Sequence, residues 1–153
     1  MLEALRRELG EVVSDLYRDP RSSFDRLADL QERAKAAGHD DEAAAILGFM
    51  AMAARRFDLA LARQTAELAV RAKPDAAAYV EMAWAQESSA DAAATEERWQ
   101  DASRHYRAAA RSHERAALLL ADEAEPERAD LHREKAAATR ATAQAMDDRD
   151  AAP

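Results

Sequence analysis

Residues that interrupt helices are nearly absent from this chain: its 153 residues include three glycines and four prolines, against 42 alanines. Alanine has the highest helix propensity, and glycine and proline carry the largest penalties. Such a sequence therefore reads as long helices separated by a few marked breaks. The alanine content, with 19 arginines to three lysines, is also what a genome rich in G and C would produce. One domain with a real core is the expectation for this length. It spans residues 1–146, with the acidic residues 147–153 as a disordered tail.

The breaks and the apolar spacing between them predict an all-α fold of about seven antiparallel helices. Leu2, Leu5, Leu9, Val12 and Leu16 alternate at steps of three and four, one stripe of a first helix running to about Arg18. Pro20 ends it, Ser22 caps a second helix carrying Phe24, Leu27, Leu30 and Ala34, and Gly38 closes that one. A third helix follows Asp40 and Asp41 with Ile46, Leu47, Phe49, Met50 and Ala53. The fourth runs from about Phe57 to Ala72, with Leu61, Thr65 and Leu68 on one face and Ala62, Ala66 and Ala69 beside it. Lys73-Pro74 ends it.

Pro74 is then a first-turn residue of a fifth helix with Tyr79, Met82, Ala83 and Gln86 inward, reaching Ser88 or Ser89. A long sixth helix from Thr95 to Ala121 carries Trp99, Ala102, Tyr106, Ala109, His113, Ala117 and Leu120, a spacing that places Trp99 and Tyr106 in the core. Pro126 starts a seventh, to about Met146.

Charge and composition exclude several functions. The net charge is -8, and residues 76–153 hold 10 basic and 16 acidic side chains. No basic cluster is available to displace counterions from phosphate, so nucleic-acid binding is not expected. There is no cysteine, hence no disulfide, thiolate or Cys-based zinc site. No stretch approaches the roughly 20 apolar residues of a membrane span, and the amino terminus lacks a signal-like apolar run. A cytoplasmic location is the default, with no membrane partner.

The four histidines, His39, His105, His113 and His132, show no metal-ligand spacing. Asp101 and His105 read as an exposed pair across one turn, and His113, on the apolar stripe, as a partly buried residue with its hydrogen bonds satisfied. Serines 88, 89, 103 and 112 lack an oxyanion-forming glycine turn, and the three glycines form no phosphate loop. No enzyme activity, metal or cofactor is expected.

With Ile46 in the first large position of a repeat of about 34 residues, Phe49, Met50 and Ala53 fill the next key sites of its first helix. Ala62, Ala66 and Ala69 fill those of its second, and Pro74 closes it. Residues 43–74 thus resemble a tetratricopeptide repeat. Met50 stands where that family prefers Gly or Ala, and Ala66 where it prefers a large aromatic. A following unit, 77–110, repeats the pattern with Tyr79, Met82 and Ala83, then Ala102, Tyr106 and Ala109 arriving about seven residues late. That is about two helical turns, compatible with a stretched hairpin. Residues 75–147 also resemble the three-helix microtubule-interacting-and-trafficking domain. Both families bind peptides on helical surfaces.

The tetratricopeptide resemblance implies helical hairpins and a concave docking face. Trp84 leans off the Tyr79-Met82-Gln86 stripe, and in that frame it lies on the concave face with Val80, Glu87 and, from the preceding hairpin, Arg55. These four are the candidate protein- or peptide-binding residues; the alternative for Trp84 is packing against the sixth or seventh helix. The expected function is a non-catalytic interaction module whose partner is another protein or peptide. The alternative is a structural bundle whose alanine-rich seventh helix completes its burial in a homodimer or larger assembly.

Overall fold

The computed structural model describes residues 1–153 and contains seven α-helices and no strand. In order these are α1 (Leu2–Asp15), α2 (Pro20–Ala36), α3 (Asp40–Ala54), α4 (Leu59–Ala72), α5 (Ala76–Thr95), α6 (Trp99–Asp122) and α7 (Pro126–Ala151). The all-α expectation, with a long sixth helix and a C-terminal seventh, is the architecture found. No helix is long and apolar enough to cross a membrane. The helices form two compact units, Met1–Pro74 and Asp75–Pro153.

Three of the seven helix starts are capped by aspartates. Asp19, Asp58 and Asp75 each accept a hydrogen bond from the backbone N–H three residues on, at Ser22, Leu61 and Ala78, satisfying a donor that the first turn leaves orphaned. This shifts three expected boundaries. Pro20 is the first residue of α2 rather than the stop of α1, Asp19 rather than Ser22 is the cap, and α1 ends at Asp15. Similarly α4 starts at Leu59, and Pro74 lies outside α5.

Three helices end in the same left-handed turn. After α2, α5 and α6 the residues Gly38, Glu97 and Ala124 take φ of 76°, 59° and 57°. The next N–H returns to the carbonyl of the helix's third-last residue in each case: His39 to Ala34, Arg98 to Ala93 and Glu125 to Leu120, all at 2.9 Å. This is the Schellman geometry. Because two of these turns use residues other than glycine, α5 runs on to Thr95 with no glycine to announce its end, well past Ser88 and Ser89, and α6 starts at Trp99.

In the first unit each helix packs on the next. Leu5, Val12, Leu16, Leu27, Leu30, Ile46, Leu47 and Met50 form its buried apolar core with alanines of α2, α3 and α4. Phe24 of α2 meets Phe57, before α4, edge to face at 5.9 Å, with the Arg21 guanidinium over the Phe57 ring. The antiparallel α3 and α4 bury Ala62, Thr65, Ala66 and Ala69, whereas Leu68 points outward at 49% exposure. The face of α4 that contacts α3 is thus the alanine stripe, because methyl groups let two helices approach closely where a leucine row would hold them apart.

In the second unit α6 packs against both α5 and α7. Pairings such as Gln86 with Ser112 and Asp91 with Tyr106 make α5 and α6 antiparallel, and His113 with His132 and Arg107 with Asp147 do the same for α6 and α7. The fully buried apolar side chains here are alanines, except Val80 and Leu120. At one end Ala76, Leu120 and Ala129 bring all three helices together, with Leu119 against them. Trp99 and Tyr106 are half-buried rather than core: Trp99 lies under the Arg149 guanidinium, and the Tyr106 hydroxyl donates to Asp91. Tyr79, Met82 and Gln86 are likewise half-buried, Ala83 being the fully buried member of that stripe.

The helix α7 continues through Ala151, five residues beyond Met146, because its last turns are held by α6: Asp147 pairs with Arg107, and Asp150 accepts from Gln100 at 2.9 Å. Both α5 (20 residues) and α6 (24 residues) exceed α3 (15) and α4 (14).

A left-handed residue with a Cβ costs about 1–2 kcal/mol, and glycine returns about 0.4–1 kcal/mol of that through the unfolded chain. Ala124→Gly is therefore expected to stabilise the second unit by about 0.5–1 kcal/mol and Gly38→Ala to destabilise the first by a similar amount. Urea unfolding followed by circular dichroism checks both, with tryptophan fluorescence reporting the second unit; a destabilising Ala124→Gly or a stabilising Gly38→Ala would overturn the assignment of these turns.

Candidate functional site

Of the four residues expected to dock a partner, Arg55 belongs to the first unit, at the C-cap of α3, and Val80, Trp84 and Glu87 to the second, on α5. Arg55 and Trp84 are half-buried. Val80 is 8% exposed and belongs to the core of its own unit. The Glu87 carboxylate turns inward, toward α6 and α7.

Glu87 leads into the most unusual chemistry of the molecule. Its Oε1 lies 2.7 Å from Nε2 of His113, a residue with no exposed surface. The other ring nitrogen of His113, Nδ1, faces Nδ1 of His132 at 3.0 Å, and the two imidazoles stack at 5.2 Å between centroids and 25° between planes. Thr139 Oγ1 lies 3.4 Å from the same Glu87 oxygen and donates to the Lys135 carbonyl at 2.7 Å. Three helices thus contribute one member each to a line of titratable groups, with His132 also buried.

Helix geometry explains how they meet. On α7 the buried side chains Ala129, His132, Ala136, Thr139 and Ala143 recur at steps of three and four, so His132 and Thr139 occupy two turns of one stripe. His113 lies on the buried stripe of α6 with Ala109, Ala116 and Leu120. The small alanines around both rings leave room for imidazoles to stack.

The partners assign the hydrogens. An ionised carboxylate only accepts, so His113 Nε2 carries the hydrogen it shares with Glu87. One further hydrogen lies between the two Nδ1 atoms. Burial pushes the Glu87 carboxyl toward its neutral form, but the hydrogen bond and charge of His113, with Lys135 and Thr139, outweigh that and hold its pKa below the ordinary carboxylate value. Burial, reinforced by His113, Lys135 and Arg128, holds His132 below the usual histidine range. On the adjoining turns burial and the hydrogen bond to Asp91 push the Tyr106 phenol well above its ordinary value.

Chemically this is a hydrogen-bonded line along which a proton can pass among a carboxylate and two imidazoles. No group of three or more His, Asp or Glu side chains is placed to hold a metal ion. His113 was legible as a buried, satisfied residue, although the structure buries it fully. His132 carried no signal, because it lies 19 positions away across a helix turn. Asp101 forms ion pairs with Arg98 and Arg104 at 2.9 and 2.7 Å. No protein-family model, curated protein or solved structure matches the chain.

Removing the carboxylate leaves a buried N–H without its acceptor. Glu87→Ala is expected to destabilise the second unit by about 1–3 kcal/mol, and Glu87→Gln, which keeps a carbonyl acceptor, by less. Urea unfolding at pH 7.5 read by tryptophan fluorescence is the measurement, since Trp84 and Trp99 both belong to that unit; equal effects of the two substitutions would contradict the hydrogen-bond assignment.

Proposed function

We propose that the chain is a non-catalytic, tetratricopeptide-like helical module that binds another protein or peptide. The observation that carries this reading is Trp84, a large aromatic left half-exposed on α5 while the fully buried apolar residues of its unit are almost all alanine. A partly exposed tryptophan on a rigid helix supplies contact area at little entropic cost, the character of residues that dominate binding energies at interfaces. The α3–α4 hairpin supports the same reading, with Ala62, Ala66 and Ala69 buried where the two helices of such a repeat approach. Val80 and Glu87 support the docking helix from within its own unit. A cytoplasmic, non-nucleic-acid role fits the acidic composition.

Replacing Trp84 by the photoreactive p-benzoylphenylalanine and irradiating cells of the native organism is expected to yield one dominant crosslinked protein. Trp84→Ala, with unchanged helical circular dichroism, is expected to weaken binding of that protein at least tenfold. Absence of any dominant adduct, or a variant that loses its helicity, would instead place Trp84 in the structural framework.

A second reading, a subunit of a homodimer or larger assembly, is favoured by two exposed leucines of the second unit, Leu118 (56%) and Leu131 (49%). If that reading holds, sedimentation equilibrium of the full chain shows self-association in the micromolar range that Leu118→Glu with Leu131→Glu abolishes. A monomer at all concentrations removes it.

A further inference from the structure

The buried polar side chains are distributed unequally. In the first unit they are Ser23 and Thr65, neither of which titrates; in the second they include Glu81, His113 and His132. The pair of facing Nδ1 atoms sets a limit on what the second unit can hold. At 3.0 Å two ring nitrogens accommodate one hydrogen, donated by one ring and accepted by the other. With Glu87 ionised, two states match a donor to an acceptor at both contacts of the line. In one, both rings are neutral, His132 donating through Nδ1 and His113 donating to Glu87 through Nε2. In the other, a single proton has been added, the His113 imidazolium donates from both nitrogens, and His132 accepts.

A second added proton has no place. Both Nδ1 atoms then carry hydrogens pointed at each other, with no acceptor between two buried cations. The surroundings reinforce the limit. From α7, Lys135 and Arg128 face His132 with like charge; from α5, Glu87 is the one carboxylate bonded to the pair, Asp91 being engaged by Tyr106 of α6.

We propose that the His113–His132 pair is an acid-sensitive latch: the folded second unit holds at most one proton more than its neutral rings, and charging both rings parts α7 from α6 while the first unit stays folded. This goes beyond the binding role and does not depend on it. In the unfolded chain the two imidazoles titrate independently near 6.5, so well below that pH the unfolded state binds at least one more proton than the folded pair. The depressed pKa of His132 has the same sign: the stabilisation is present above the unfolded value and is lost as pH falls through the folded one. Each proton of difference changes the unfolding equilibrium up to tenfold per pH unit.

The test is urea unfolding of the full chain between pH 6 and pH 5, read by tryptophan fluorescence, a window above most carboxylate titration. The wild-type unfolding constant is expected to rise about five- to tenfold across it. In His132→Asn, whose side-chain amide can still donate to His113 but cannot take up a proton, the rise is expected to be about five- to tenfold smaller than in the wild type. Equal slopes for the two proteins would overturn the latch. Should the variant fail to fold, imidazole 15N spectra of the folded wild type at pH 5.5 decide the matter. One unprotonated Nδ1 remaining in the pair upholds the proposal, and four protonated ring nitrogens in the folded protein refute it.

Discussion

Two helices that face each other with alanines must come close before any side chains touch, and methyl groups offer little shape to fix one sliding or rotational position over another. That constraint governs the second unit, whose fully buried apolar side chains are alanines apart from Val80 and Leu120. Close approach keeps the van der Waals contacts of a packed interior, yet each alanine removes far less apolar area from water than a leucine does. Alignment of α5, α6 and α7 has to come from elsewhere. The Gln86–Ser112, Glu87–His113 and His113–His132 contacts supply it near the middle of the helices, and Arg107–Asp147 and Gln100–Asp150 toward one end.

Buried polar groups specify only when every member is satisfied, because a half-satisfied network costs more than an apolar core. The line from Glu87 to His132 meets that condition at neutral pH, with donor and acceptor matched at each contact. The same property makes it the point at which protonation is most disruptive. Alignment by polar contact and sensitivity to acid are therefore two consequences of one substitution of chemistry, imidazole in place of leucine, in an alanine-lined interior. The first unit, with Leu16, Leu27, Leu30 and Ile46 fully enclosed, has conventional apolar alignment.

Much of the fold could be read from the sequence because helix breakers are so rare that each one carries information. Pro20, Gly38, Pro74 and Pro126 lie within a residue or two of real helix ends. The α5–α6 turn was misplaced because Glu97 takes a left-handed conformation that a sequence normally signals with glycine. Face assignments failed where size was read as burial. Trp99 and Tyr106 follow helical spacing, but α6 turns its alanines inward, since a small residue permits contact that a large one prevents.

The polar line was harder to read, for a reason that lies in how spacing works. The residues 129, 132, 136, 139 and 143 repeat at three and four as regularly as the leucines of α1. A stripe made of alanine, histidine and threonine nevertheless has almost no hydrophobic contrast with the rest of α7. Glu87 was singled out by position on α5, yet its role depends on His113, 26 residues later, and on Thr139, 52 residues later. No local pattern encodes such separations; they follow from two antiparallel turns whose lengths set which residues lie opposite. In a bundle cored mostly by alanine, the location of the turns therefore decides the chemistry of the interior, because few large side chains are present to correct a slip of one residue.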